Sequence, residues 1–102
     1  MNVTKVSDLT ATDIAEYLHI VETDQRDQQT IMTMLGAATA YMKQYTGLSS
    51  LDGHQEFVIA ALVLVQDMWD NRALYVDKTN LNHTVESILD LYSVNLLPEA
   101  SV

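Results

Sequence analysis

The stretch FVIAALVLVQDMWD, residues 57–70, decides how the rest of the chain is read. Its first nine residues are apolar and rich in branched side chains, so residues 57–65 could pass for a buried strand. No turn signal interrupts the pattern before Asp77, however, and Gln66, Asp67, Met68, Trp69 and Asp70 continue it at helical spacing. The spacing predicts a helix over residues 54–75. One stripe along it is Val58, Leu62, Val65 and Trp69. A second stripe runs beside it, Phe57, Ala61, Leu64 and Met68, and Ile59 with Val63 widens the apolar arc. A helix on the outside of a small domain needs only one such stripe. Leaving Phe57, Leu64 and Met68 in water forgoes roughly 1.5–3 kcal/mol each. Either the helix is central and wrapped by the others, or the Phe57 stripe is an interface with another subunit.

Upstream, Ile31, Met34, Leu35, Ala38, Tyr41, Met42 and Tyr45 recur at offsets of three and four, which predicts a helix over residues 26–45. The acidic stretch before it, residues 22–27, suits the positive end of a helix dipole. Gly36 in mid-helix costs about 1 kcal/mol relative to alanine, so close packing of a neighbour on Gly36, Ala37, Ala38 and Ala40 is expected. Gly47 is the expected stop, because it takes the left-handed position that other residues resist. A first helix, residues 11–19, follows the N-cap candidate Thr10, with Asp13 completing an acidic capping box and Leu9 facing Ile14 as a hydrophobic staple.

Downstream, residues 76–83 read as an exposed loop. A last helix over residues 84–94 carries Val85, Ile88, Leu89 and Tyr92 on one face. Leu96 and Leu97 are expected to pack as a tail before Pro98, with residues 98–102 frayed. The expected fold is therefore all-α, a single four-helix domain with a long apolar third helix. Its expected core is Ile14, Leu18, Ile31, Leu35, Ala38, Met42, Val58, Leu62, Val65, Trp69, Ile88, Leu89 and Tyr92.

Composition agrees with a globular domain. Of 102 residues, 48% are apolar and 19% charged, too apolar for disorder, and 102 residues suffice for one core but not two. Three glycines and one proline leave long stretches unpunctuated, which favours helices over strands. Residues 1–5 lack the charged-then-apolar pattern of a leader, and the nine-residue apolar run is about half of what a bilayer needs. A soluble protein made in a cytoplasm, without a membrane partner, is expected. Fourteen acids against five bases give a net charge of −9. The bases, Lys5, Arg26, Lys43, Arg72 and Lys78, are scattered, which argues against a nucleic-acid reader. The acidity itself reads either as plain solubility or as a surface that must not hold nucleic acid.

Chemical equipment is sparse. There is no cysteine, hence no thiolate metal site and no disulfide. His19, His54 and His83 are far apart, and His83 with Glu86, Asp67 with Asp70, and Asp24 with Asp27 read as helix-end or solvated-face pairs rather than metal ligands. No serine sits in a nucleophile elbow, and there is no glycine-rich phosphate loop. No enzyme activity, cofactor or metal is expected. Tyr41, Tyr45, Trp69, Tyr75 and Tyr92 fall near apolar faces and read as packing residues; base stacking would want positive charge beside them. Arg72, near Asp67 and Asp70, is expected to pair with Asp67.

The order of these features resembles the small head–tail connector proteins of tailed bacteriophages, the head-completion or DNA-packaging adaptor family. The likeness runs over residues 9–93. It is carried by LTATDIAEYLHI and an acidic turn, the second helix ending YMKQYTG, the third ending MWDNRALY, and the closing VESILDLY. The stop at Tyr45, Thr46 and Gly47 and the pair Asn71 and Arg72 after Trp69 are its most telling parts; Leu48, Leu91 and Ser93 depart from the family pattern. The resemblance implies a ring of identical subunits at the virion neck, between portal protein and a tail or stopper protein, through which DNA passes without specific binding. A ring needs a head-to-tail interface with two different surfaces per subunit, and acidic walls would let DNA slide. A rival reading from charge alone is an acidic helical regulatory module, a DNA mimic that occupies a nucleic-acid-binding site on a host protein.

Overall fold

Thr10 begins the first helix as the local chemistry dictates. Its hydroxyl accepts from the Asp13 N–H at 3.1 Å, while the Thr10 N–H donates to the Asp13 carboxylate at 3.1 Å. That reciprocal box starts α1, Ala11–Tyr17. A single 3-10 turn, Val6–Asp8, precedes it and buries Val6. The computed structural model describes residues 3–20 and 24–94. The expected tail packing of Leu96 and Leu97, the fraying of residues 98–102 and part of the acidic entry at residues 22–27 lie outside them.

Asp24 caps α2, Gln25–Thr46, by accepting from the Asp27 N–H at 2.8 Å. Gly47 ends it at φ 79°, as its freedom from a Cβ allows, and donates to the Lys43 carbonyl at 2.8 Å. The third helix, α3, is Glu56–Asn71, shorter at both ends than the expected 54–75. It stops because Arg72 turns left-handed at φ 54° and the Ala73 N–H reaches back to the Met68 carbonyl at 2.9 Å. This is the Schellman closure that usually wants glycine. The same closure ends α1: His19 stands at φ 61° and the Ile20 N–H donates to the Ala15 carbonyl at 3.0 Å. Asn82 starts α4, His83–Tyr92, accepting from the N–H groups of Thr84 and Val85 at 2.8 and 3.4 Å.

The protein is all-α: these four helices and the 3-10 turn are its regular elements among the described residues, and they share one hydrophobic core. α3 lies in the middle, packed on α2, on α4 and on the 3-10 turn, while α1 packs on α2. Of the expected core, Ile14, Ile31, Leu35, Ala38, Met42, Val58, Leu62, Val65 and Leu89 are buried; Leu18, Trp69, Ile88 and Tyr92 pack at its edge, half-buried. Val6, Leu9, Leu51, Ala60 and Val85 complete the interior. No helix among the described residues is long and apolar enough to cross a membrane.

The Phe57 stripe is not an interface. Phe57 and Ala61 are 0% exposed, and Leu64 and Met68 are 2% exposed, all within one chain. The reason is angular. At about 100° per residue, the buried positions of α3 span an arc of roughly 200°, and the Phe57 stripe bisects it. The side of α3 left to water is Ile59, Val63, Gln66 and Asp70, with Ile59 the exposed apolar residue on it. Gly36 also departs from expectation: a Cβ there would meet nothing within 4 Å, so no neighbour packs on it.

Candidate functional site

With the α3 stripes inside the core, α3 leaves Ile59 exposed, and the other exposed apolar side chains come from other elements. Leu74 and Tyr75 are exposed just past the left-handed Arg72. Leu91 and Val94 are exposed at the end of α4, Leu91 at 73%. Met32 is exposed on α2. Leu91 is off the face that α4 buries: at about 100° per residue it points some 140° away from Leu89 and Val85 taken together. Sequence periodicity held that signal, since Val85, Ile88, Leu89 and Tyr92 cluster and Leu91 does not.

Hydrogen bonds fix the end of α4 in place. The Tyr92 hydroxyl donates to the Glu56 carboxylate at 2.8 Å, joining the end of α4 to the start of α3. That bond pushes the Tyr92 hydroxyl up and holds the Glu56 carboxyl below its usual range. His54 stacks on the Tyr92 ring at 3.8 Å between centroids, and Phe57 meets the same ring edge-on at 5.4 Å. The Tyr45 hydroxyl donates to Asp90, which pushes it up to about 12. Buried Thr46 closes the junction. Its hydroxyl donates to the Met42 carbonyl at 2.8 Å and accepts from the Leu48 N–H at 3.2 Å, while its carbonyl accepts from the Val94 N–H at 2.7 Å. Val94 is therefore held at the C-terminus of α2.

On another side of α2 a cleft of ≈ 340 Å³ opens between that helix, the 3-10 turn and the loop after Gly47. Val6, Leu9, Leu35 and Leu51 line it with Met32 and Gly36, and Lys43 and Asp52 supply its charge. Asp52 is tied down by Ser7, whose N–H and hydroxyl donate to its two oxygens at 3.1 and 2.7 Å. Those bonds, with weaker pulls from Lys5 and Lys43, hold the Asp52 carboxyl below its usual range. Reading the sequence missed this cleft, because its walls come from segments far apart in the chain.

Arg72 does not pair with Asp67. Its guanidinium lies over the Trp69 ring, 5.4 Å from the centroid, since the left-handed turn carries it back over its own helix. Asp67 instead has acids for neighbours; burial first, then Asp70 and Asp77, pushes its carboxyl up. Among the described residues the one ion-pair distance is His83 to Glu86, 3.8 Å. No group of three His, Cys, Asp or Glu among them could hold a metal ion. His54, Glu56 and Tyr92 do come together, but the contacts they make are those of a clasp between two helix ends.

No family model, curated protein or solved structure matches this chain. What the chain does has to be argued from its own surfaces.

Proposed function

We propose that the protein is a structural subunit of a phage or prophage head–tail connector. Its copies form a ring between portal and tail at the virion neck, which completes the head after packaging and extends the DNA channel. The observation that carries this reading is the separation of its exposed apolar side chains. A ring subunit must touch a neighbour on each side and a different partner above or below, so it needs several distinct adhesive places. Leu74 and Tyr75 lie beyond one end of α3, and Leu91 and Val94 lie at the α4 terminus clasped to the other end. The 16 residues of α3 set those two places about 24 Å apart. Met32 at the cleft makes a third.

The ordered motifs that resemble connector proteins support the same assignment. So does the charge, because −9 per copy repeated around a ring lines a channel with acid that phosphates do not grip. Support from the interior of α3 is gone, since that helix is covered within one copy. The test is to mix the full chain with purified portal protein and follow it by native mass and negative-stain imaging. A ring seated on the portal is the expected result. A strict monomer that ignores portal and tail proteins, yet captures a host nuclease or repressor in competition with DNA, would reverse the proposal in favour of an acidic mimic.

A further inference from the structure

We infer that the α2 cleft seats the segment that follows α4 in the same copy, with Leu96 and Leu97 against its apolar walls. Residues 95–102 lie outside the described part of the chain. What assigns them this seat is the place and direction in which the chain arrives at Val94. This goes beyond the connector reading, since it concerns the free chain.

Two hydrogen bonds set the direction. The Ser93 hydroxyl donates to the Tyr45 carbonyl at 3.4 Å, and the Val94 N–H donates to the Thr46 carbonyl at 2.7 Å. Successive residues of α2 stand about 100° apart, so the chain steps round the end of that helix. It steps away from α4, which Tyr45 faces through Asp90, and onto the side of Thr46. At the same angle per residue Thr46 falls between Leu35 and Thr39, and both of these line the cleft. The chain therefore leaves Val94 at one end of the cleft, about a turn beyond Lys43.

Length and polarity suit this course. Extended chain advances roughly 3.3 Å per residue, so Leu97 reaches about 10 Å past Val94. Thr39 stands seven residues before Thr46, roughly 10.5 Å along α2. The eight residues 95–102 span roughly 26 Å, enough to pass Gly36, where an added Cβ would meet nothing within 4 Å. The cleft holds one base and one acid, and Lys43 already pulls on the ionised Asp52, so its charge is close to balanced. An uncharged apolar guest suits such a place better than a charged one. Asn95, Leu96, Leu97 and Pro98 carry no charge. Tethering adds to the match: a segment joined this close has an effective concentration on the order of millimolar, which a separate molecule must exceed. In a connector subunit the seated segment keeps the cleft, with exposed Met32 on its wall, closed to a neighbour until docking displaces it.

The chain has no native cysteine, so a single engineered pair can be read cleanly. Thr39→Cys and Leu97→Cys are combined in the full chain, which is oxidised mildly at high dilution without portal. The control combines Leu97→Cys with Ile59→Cys. Ile59 is exposed and lies about one turn into α3 from Glu56, to which Tyr92 is clasped, so an unseated segment meets it as readily. Thr39 is half-buried and Ile59 exposed, so both variants should fold. The 39–97 bond should form within single chains about tenfold or more faster than the 59–97 bond. Adding Leu96→Asp should slow the first and leave the second unchanged. Equal rates for the two pairs would overturn the seat. So would a 39–97 bond found only between chains, which would give the cleft to the same segment of another copy. Portal takes no part, so either result leaves the connector reading standing.

Discussion

α3 and α4 lie against each other and bury their apolar side chains to different extents. α3 is the longer and more apolar, and most of that surface is hidden by α2, α4 and the 3-10 turn, with Ile59 left exposed on the side opposite the core. α4 is ten residues long, buries Val85 and Leu89, and leaves Leu91 in water. The amount of apolar surface on a helix therefore does not say whether a partner covers it. What matters is its angular distribution relative to the neighbours. An apolar arc centred on the core is absorbed by the core; a single apolar residue far from that centre is left over.

The largest effect should come from setting Phe57 against Leu91. Phe57→Ala opens a cavity in the covered arc and should cost about 3–5 kcal/mol in chemical denaturation. Leu91→Ala should move stability by no more than about 0.5 kcal/mol while weakening assembly on the portal. If both were equally destabilising, Leu91 would belong to the fold and the contrast between the helices would be lost.

Thr46 comes next, because it holds the end of α4 on which that contrast depends. Thr46→Val keeps the shape but removes the acceptor of the Leu48 N–H and the donor to the Met42 carbonyl. About 1–2 kcal/mol of destabilisation is expected, measured by urea unfolding. An unchanged midpoint would mean that backbone bonds alone fix the junction.

The ends of α1 and α3 give a smaller and sharper test. His19 and Arg72 are both left-handed without being glycine, a backbone state that costs roughly 1–2 kcal/mol. His19→Gly should raise stability by about 0.5–1 kcal/mol, relief exceeding the added freedom of the unfolded chain. Arg72→Gly should gain close to nothing, since it also removes the stacking on Trp69. Thermal unfolding of the two variants side by side reads the difference; equal gains would make the Trp69 contact idle.

These cases separate what a sequence discloses from what it withholds. Thr10 and Gly47 were legible because a cap is chemistry between residues three or four apart, whereas Asp24 was read only as part of an acidic helix entry. The all-α class followed from unbroken 3.6-residue spacing. The early stop of α3 was not legible, because nothing about Arg72 announces a left-handed turn. The reading of the Phe57 stripe as surplus mistook the centre of the apolar arc for its margin; the margin is Trp69 on one side and Val63 on the other, with Ile59 on the water side between them. Leu91 lay open to the same arithmetic. The cleft did not, for its walls at residues 6–9, 32–43 and 49–52 meet only through the fold.

Asp67 carries the smallest prediction and bears on the polar margin of α3. Burial, with Asp70 and Asp77 nearby, raises its folded-state pKa above the ordinary 3.8. The folded protein therefore binds that proton more tightly than the unfolded chain does. Above the raised value its ionisation weighs against folding; below 3.8 it is protonated in both states and the penalty vanishes. Asp67→Asn should thus stabilise at neutral pH, by a few tenths of a kcal/mol given its solvent access, and the gain should fade as pH falls toward 3.8. Asp52 and Glu56 have lowered values and the opposite sign, so their contributions are present above their ordinary range and are lost on acidification. Comparing the two proteins pairwise at each pH cancels those shared terms. A gain that stayed constant down to acid would assign the effect to helix propensity or packing, and the margin of α3 would then be no more electrostatically strained than the surface of α4.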